Sequence, residues 1–408
     1  MSARGEIIVG LDIGTTKICA VVGEVRGGKV DVVGMGSHPS DGLRKGVVVN
    51  IETTVQSIKQ AVEEAELMAG CEINNVITGI AGGHIMGFNS HGVIAIKGRE
   101  VTRRDVERVV DAACAVAIPT DREVVHVLPQ EFILDGQDGI QDPVGMSGVR
   151  LEARVHIVTG AVASAHNLIK CCNMAGLDVA DIVLQPLASG EAVLTPEERN
   201  LGAALMDFGG GTTDLAIFSG EAIKHTAVLS LGGINLTTDL AVGLRTPMGE
   251  AEAIKKRYGC AVASLISKDE TVEVPSVGGR SPRRVKRQIL GEILEPRVEE
   301  LLTLIRAEIE SSGFMEQVAS GVILTGGSAM LEGLLDMAEQ LFNCPARLGY
   351  PQNVGGLSDV VNNPMYATAV GLVVYGAKNQ PEKKFRIRDV NIFNRITNRM
   401  RRWFKDIV

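Results

Sequence analysis

Aromatic residues make up only 3% of this 408-residue chain, with one tryptophan, four tyrosines and nine phenylalanines. That scarcity disfavours a sandwich built on large rings and leaves aliphatic side chains and 47 glycines to form tightly turned α/β structure. Paired cysteine motifs are lacking as well. The seven cysteines (Cys19, Cys71, Cys114, Cys171, Cys172, Cys260 and Cys344) are odd in number, scattered and without CxxC spacing, as expected of a reduced cytosolic protein that uses thiols as small core residues. The seven histidines are equally dispersed, so spacing assembles no zinc site. No signal peptide opens the chain, and no apolar run is long enough to cross a bilayer. A net charge of −8 argues against nucleic acid as the global partner, so any basic surface is local. What is present, 45% hydrophobic and 22% charged residues, buries a large core divided among more than one domain.

The chain is organised around Met206 to Ile217, MDFGGGTTDLAI. A buried strand ends at Asp207; Gly209, Gly210 and Gly211 let backbone N–H groups approach an anion, and Thr212 and Thr213 add hydroxyl donors. Repulsion rules out direct phosphate binding by Asp207, so its carboxylate suits Mg²⁺. A tight glycine turn in a β-hairpin is the alternative reading of this one copy. A second copy near the N-terminus carries Asp12, Gly14, Thr15, Thr16 and Lys17 in matching order. Two such units predict a duplicated fold with two loops closing on one nucleotide from opposite sides.

In chain order, strands are expected at Ile7–Ile13, Lys17–Val25 and Val30–Gly36, then a helix from Glu52 to Ala69, capped by Asn50, with Val55, Ile58, Val62, Ala65 and Leu67 on its apolar face. Val76 to Ala81 is a short buried strand. From His84 the rhythm changes. A strand Val93–Ile96, a helix opened by a capping box at Thr102 and Asp105 and running to about Ala117, and strands Val124–Leu134 and Val149–Val158 form an inserted βαββ unit. His126 and His156 fall on its strands, where packing or hydrogen bonding is their expected role. After the helix Val162–Met174, a strand Val179–Gln185 ends before the helix Leu187–Leu194. A glutamine at that strand end could orient a water for attack on a γ-phosphate, and equally be an ordinary strand-end polar residue.

Gly232 and Gly233 lead into a further helix. Thr246 and Pro247 open another in the N-cap and N1 pattern, which carries Glu252 and Lys255 at i and i+3, able to hold a ribose and base edge or to form a solvated ion pair. Gly278 to Arg287 reads as a basic loop without interleaved aromatics, better suited to an acidic peptide than to nucleic acid. It leads into a long helix that Pro296 should kink. A strand Val322–Leu324 turns through Thr325, Gly326, Gly327 and Ser328 into the helix Met330–Leu341, where a nucleoside or phosphate can sit close to backbone N–H groups. Pro364 to Ala377 is an alanine- and glycine-rich helix suited to close packing. Asn379 to Asp389 is a polar linker. Beyond it Phe393, Ile396, Met400, Trp403, Phe404 and Ile407 recur at helical spacing, with Arg395, Arg399, Arg402 and Lys405 at other positions. Such a basic amphipathic helix suits an anionic lipid interface; docking on its own domain or a partner groove is the rival reading.

Taken together, the two phosphate loops, Gln185 before a small-residue helix, the TGGS turn and the closing alanine-rich helix resemble the actin, Hsp70 and hexokinase superfamily. Within it, the inserted unit, the EPR element Glu295 to Arg297 and the tail resemble the FtsA cell-division family over essentially the whole chain. The resemblance implies an α/β, actin-like duplicated fold with a nucleotide cleft between its halves. Residues 1–83 and 162–200 would be subdomain 1A, 84–161 the inserted 1C, 201–240 and 313–378 subdomain 2A with the closing helix, 241–312 subdomain 2B, 379–390 the linker and 391–408 the membrane helix. ATP would sit between the halves, with Mg²⁺ held through water by Asp12 and Asp207, and Asp214 would stabilise the loop or reach metal-bound water. Gly14, Thr15, Thr16 and Lys17 would face the phosphates from one side and Gly209, Gly210, Gly211, Thr212 and Thr213 from the other. Glu252, Lys255, Gly326, Gly327 and Ser328 would hold the adenosine. Hydrolysis would be slow if it occurs at all, with Gln185 positioning water.

The same resemblance implies an actin-like polymer that tethers the FtsZ ring and recruits later division proteins. The FtsZ C-terminal peptide would dock near Arg283 and Arg297. Phe393, Ile396, Arg399, Met400, Arg402, Trp403, Phe404, Lys405 and Ile407 would engage the cytoplasmic face of the inner membrane. A small-molecule kinase of the same superfamily needs a base and a substrate pocket, which the inserted unit does not supply. A pilus-assembly relative would not need the tail.

Overall fold

A computed structural model describes residues 5–98, 100–278 and 281–379. The first half opens with the antiparallel meander β1 (Glu6–Ile13), β2 (Lys17–Arg26) and β3 (Lys29–Pro39), followed by a small hairpin, β4 (Leu43–Arg44) and β5 (Val47–Val48). Helix α1 (Ile51–Ala69) is capped by the Asn50 side chain, which accepts from the Thr53 N–H at 3.2 Å, and stops at Gly70 in the left-handed conformation. Its Val55, Ile58, Val62 and Ala65 are buried, whereas Leu67, which helical spacing puts on the opposite face, points to solvent at 85% exposure. Strand β6 (Asn75–Ile80) then joins β1 in parallel.

The inserted unit comprises β7 (Met86–Ala95), α2 (Arg103–Ala113), β8 (Arg122–Leu134), β9 (Gln137–Ile140) and β10 (Arg150–Ala161), forming a four-stranded sheet in the order β7-β10-β8-β9. It therefore has one strand more than the sequence pattern suggested, because β9 is a short polar turn-back on β8. The Thr102 and Asp105 capping box is present, and α2 ends four residues before Ala117. The chain returns through α3 (Val162–Met174), β11 (Asp178–Leu184), α4 (Gln185–Val193) and α5 (Pro196–Leu201). Gln185 is thus the first residue of a helix.

The second half repeats the first. β12 (Ala203–Phe208), β13 (Thr213–Ser219) and β14 (Ala222–Leu229) form its meander, followed by α6 (Gly233–Leu244) and α7 (Met248–Tyr258). Pro247, not Thr246, is the cap residue of α7, and the Thr246 hydroxyl is buried with no partner among the described residues. The basic stretch is partly a strand: β15 (Thr271–Val274) pairs with β16 (Arg283–Lys286). Helix α8 (Gln288–Ser312) continues through Pro296. β17 (Val322–Thr325) is followed by a 3₁₀ turn at Gly327–Met330, and α9 (Leu334–Phe342) begins four residues later than expected. β18 (Ala346–Leu348), β19 (Val354–Gly356), α10 (Ser358–Val361) and α11 (Ala367–Asn379) complete the described chain, and α11 extends one residue into the expected linker.

The sheet orders β11-β6-β1-β2-β3-β19 and β14-β13-β12-β17-β18 express the duplication. In each half the first three strands are antiparallel and two later strands add in parallel beside the first. β1 and β12 sit inside their sheets, which explains their nearly unbroken burial. Helix α11 returns to the first half and lies against α4 and β1. A Cβ on Gly371 would stand 1.8 Å from the Ala188 carbonyl oxygen, so this crossing requires glycine.

The insert, which belongs by sequence to the first half, is bonded to the second. Asn89 and Gln130 donate to the Lys224 carbonyl at 3.2 and 3.0 Å, and His156 sits between Asn89 Oδ1 at 2.7 Å and Thr226 Oγ1 at 2.8 Å. Burial, then the neighbouring His225, lowers the His156 pKa to about 3, so the ring is a neutral structural pin. His126 Nε2 accepts the Leu184 N–H at 2.9 Å, tying the insert to the base of α4.

Candidate functional site

The two glycine-bearing turns adopt the same backbone geometry. Gly14 N–H donates to the Lys17 carbonyl at 3.0 Å, and Gly209 N–H donates to the Thr212 carbonyl at 3.0 Å. The residue-by-residue equivalence is therefore Asp12 with Asp207, Gly14 with Gly209, Thr15 and Thr16 with Gly210 and Gly211, and Lys17 with Thr212. The paired threonines of the two motifs do not superpose, although they follow the glycines in the same order. Across the cleft, a Cβ on Gly210 would stand 2.3 Å from Thr16 Cγ2, and one on Gly211 2.6 Å from Thr15 Oγ1. Position 16 faces the counterpart of 15, and 15 faces the counterpart of 16, the reciprocal pattern of an isologous contact about a two-fold axis.

Between the turns lies a cleft of about 560 Å³. Asp12, Gly14, Thr15, Thr16, Lys17, Gln185, Asp207, Gly209, Gly210, Gly211, Thr212, Asp214, Glu252, Lys255, Gly326, Gly327 and Ser328 all line it. Thr213 does not. As the next residue of a strand it points to the opposite face, fully buried, with its hydroxyl donating to the Leu231 carbonyl at 2.9 Å.

One helix face fixes both aspartates of the duplicated motif. Gln185 Nε2 donates to Asp12 Oδ1 at 3.0 Å, and Ser189 Oγ, one turn along α4, donates to Asp207 Oδ2 at 2.7 Å. Thr368 of α11 adds a second donor to Asp207 Oδ2 at 3.1 Å. Gly326 adopts a left-handed backbone, and a Cβ there would stand 2.4 Å from Asp207 Oδ1, so glycine is required both by conformation and by space. Ser189 and Thr368 were not identified from sequence; the i+4 spacing of Ser189 from Gln185 was the available signal. His84 was also missed as a site residue. It lines the cleft with both ring nitrogens buried and without partners among the described residues.

Three carboxylates share this buried space. Desolvation raises the pKa of Asp12, against the opposing pull of Lys17, whose Nζ lies 3.5 Å from Asp12 Oδ2. Desolvation also raises Asp207, reinforced by the Asp12 charge and opposed by the Ser189 and Thr368 hydroxyls. Asp214 is pushed up to about 8 by burial and the Asp207 charge, although Thr212 Oγ1 donates to its Oδ2 at 3.0 Å. Its Oδ1 has no partner among the described residues. This excess of buried negative charge fits a divalent cation. No group of three or more acidic, histidine or cysteine side chains converges closely enough among the described residues to cage a bare ion. Mg²⁺, which keeps most of its waters and takes few protein ligands, satisfies both observations.

At the other end of the cleft Lys255 Nζ is held by the Gly233 carbonyl at 2.9 Å, Thr237 Oγ1 at 2.9 Å and Glu252 Oε2 at 2.7 Å. The ion pair is thus partly buried and preorganised rather than a solvated face. The first N–H groups of α6 are already used, since Gly233 and Ile234 donate to the carbonyls of Gly209 and Gly210.

Away from the cleft, Arg283 of β16 donates to the Leu244 carbonyl at the end of α6, and Arg297 of α8 pairs with Asp239 of α6 at 2.7 Å and with Glu300. Both arginines flank α6, but the charge of Arg297 is already met. The linker beyond Asn379 and the residues Phe393, Ile396, Arg399, Met400, Arg402, Trp403, Phe404, Lys405 and Ile407 lie outside the described residues. No described helix is long and apolar enough to cross a membrane.

Comparison with known proteins agrees with this architecture. The family described as "Cell division protein FtsA" matches residues 204–371, and "SHS2 domain inserted in FTSA" matches residues 82–159. The cell division protein FtsA of Pseudomonas aeruginosa is 54% identical over 379 residues, covering 93% of this chain and 91% of that protein. That of Escherichia coli K12 is 43% identical, covering 98% and 96%. Among solved structures, the PilM–PilN type IV pilus biogenesis complex has a TM-score of 0.66 at 19% identity, covering 91% of this chain and 98% of that one. MreB5 of Spiroplasma citri bound to ADP has a TM-score of 0.57 at 14% identity, covering 94% and 100%. At such identities the structural likeness carries the fold alone, and that fold is actin-like.

Proposed function

The chain belongs to the FtsA family of cell-division proteins, and from that premise we propose that it is an ATP-binding scaffold that assembles on the cytoplasmic face of the inner membrane and tethers the FtsZ ring. The observation that carries the nucleotide part is the reciprocal meeting of the two turns over one cleft, with both motif aspartates anchored by a single helix. ATP would lie with its phosphates between Gly14–Lys17 and Gly209–Thr212 and its adenosine toward Glu252, Lys255, Gly326, Gly327 and Ser328. Asp12 and Asp207 would hold Mg²⁺ through water, and Asp214 would bond a metal water with its free oxygen. The ion would neutralise phosphate charge and relieve the crowding of the three carboxylates. Gln185 holds Asp12 with its amide N–H, which leaves its carbonyl oxygen to accept from a water. That placement suits a water-positioning role for Gln185 in slow hydrolysis.

The membrane part rests on the sequence of residues 391–408. A single short amphipathic helix binds weakly and reversibly, so stable attachment requires many copies presented together by an actin-like polymer. For the FtsZ peptide, Arg283 and the other exposed cations of β16 are the docking residues favoured here, because an acidic segment reaching Arg297 has to displace Asp239 and Glu300. Co-sedimentation with anionic vesicles and Mg-ATP tests this reading, comparing the full chain with Trp403→Glu. The variant is expected to stay in solution while binding ATP normally; equal pelleting of both proteins would remove the membrane role.

A further inference from the structure

A groove of about 470 Å³ lies outside the nucleotide cleft, where the insert, α4, the β13–β14 turn and the last turn of α11 meet. Its apolar lining includes Val127, Pro129 and Val144 of the insert, Leu187 of α4, Ile223 of β14 and Tyr375 of α11. Val144 leaves 39% of its surface in solvent. The groove is large enough for a few bulky side chains and too small for a whole helix. Lys378 and Asn379, the last described residues, form part of its rim.

We propose that in the absence of lipid residues 391–408 of the same chain fold back onto this groove, seating Trp403 and its apolar neighbours in it. The proposal rests on the amphipathic reading of that segment. Three observations select this occupant. The chain leaves α11 at the groove itself, and the intervening residues 380–390 span at most about 40 Å when extended, so the segment is held close by. Tethering supplies an effective concentration on the order of millimolar, enough for a weak contact to be populated. The charges also match. Asp142 and Glu221 line the groove and enter no ion pair among the described residues, whereas the charge of Glu191 is already met by Arg199 and Lys378. Arg395, Arg399, Arg402 and Lys405 supply the complement; among the described residues Arg103 is the one further lining cation and opposes it. The fold-back hides the apolar stripe until a membrane offers a larger apolar surface, so groove and lipid compete for the same side chains.

Trp403 is the chain's single tryptophan, so intrinsic emission reports on this segment alone. The full chain is measured without lipid for emission maximum and acrylamide quenching, beside Val144→Arg and the double variant Asp142→Lys with Glu221→Lys. Blue-shifted emission is expected in the parent, with quenching several-fold weaker than in either variant and unchanged on dilution. A solvent-like, freely quenched Trp403 in the parent overturns the proposal. Protection that neither variant relieves also overturns it, because the segment is then covered elsewhere. Protection lost on dilution overturns it in favour of a second copy. Vesicle pelleting of the same proteins is read separately: groove variants should pellet at least as well as the parent, and failure of every form to pellet counts against the membrane reading alone.

Discussion

Replacing Gly210 with alanine tests whether the two turns must touch. The added methyl would lie 2.3 Å from Thr16 Cγ2 and 2.7 Å from Thr16 Oγ1, whereas non-bonded carbons rest about 3.5–4.0 Å apart. Thr16 is β-branched with one stiff side-chain torsion, so relief comes chiefly from the turns separating by about 1 Å. Overpacking of this size costs about 1–3 kcal/mol. Here it falls on the closed arrangement rather than on either core, and corresponds to a loss of roughly 5- to 150-fold in ATP affinity. Calorimetric titration with Mg-ATP measures the loss, and denaturant unfolding of the nucleotide-free protein checks that the halves themselves are intact. Adding Thr16→Ser removes the nearest carbon and should recover part of the affinity. Gly249→Ala, at a helical glycine with nothing within 4 Å, is the control. Gly210→Ala binding ATP as tightly as the parent, with unchanged folding, would refute the facing-loop geometry.

Ser189→Ala removes the shortest bond to Asp207 and is expected to cost about 1.5–3 kcal/mol, as for a hydrogen bond to a charged group; a change below 0.5 kcal/mol, itself about the scatter of neutral surface substitutions, would show that Asp207 is held by other contacts. The proton that burial and Asp207 keep on Asp214 up to a pKa of about 8 is lost from the unfolded chain near about 4. The nucleotide-free folded state thus binds more protons than the unfolded state through that window, and stability falls as pH rises from about 4 to about 8. Asp214→Asn should flatten that slope in denaturant midpoints taken without Mg²⁺, and an unchanged slope would place the titration elsewhere. Reversing the pair Arg297 and Asp239 to Arg297→Asp with Asp239→Arg should restore most of the stability lost by Arg297→Asp alone, a few tenths to 1 kcal/mol for a partly exposed pair. If Arg297 also binds the FtsZ peptide, the swap will not restore that binding.

The duplicated core was legible because each motif joins an apolar run to a glycine turn, and that pattern fixes both the hairpin and its open side. Alternation along β13 also contained the position of Thr213, since neighbouring strand residues face opposite ways; reading the two threonines together by composition obscured it. Strand β9, with the sequence QDGI, and strand β16, with RRVK, carry no apolar alternation and are defined only by the partner strands beside them. Ser189 and Thr368 are ordinary small helical residues in sequence, and only the approach of α4 and α11 to the cleft makes them ligands of Asp207. The ion pairs of Arg297 depend on how α6 and α8 pack, which no spacing along the chain encodes.

The seating of the insert on β14 has a mechanical corollary. A rotation that parts the halves at the cleft either drags the inserted sheet along with the far lobe, straining its stem at Met86 and Ala161, or strips Asn89, Gln130 and His156 from their partners on β14. In both cases a change in the opening of the cleft is felt by a surface that lies outside it, and anything gripping that surface bears back on the cleft with equal leverage.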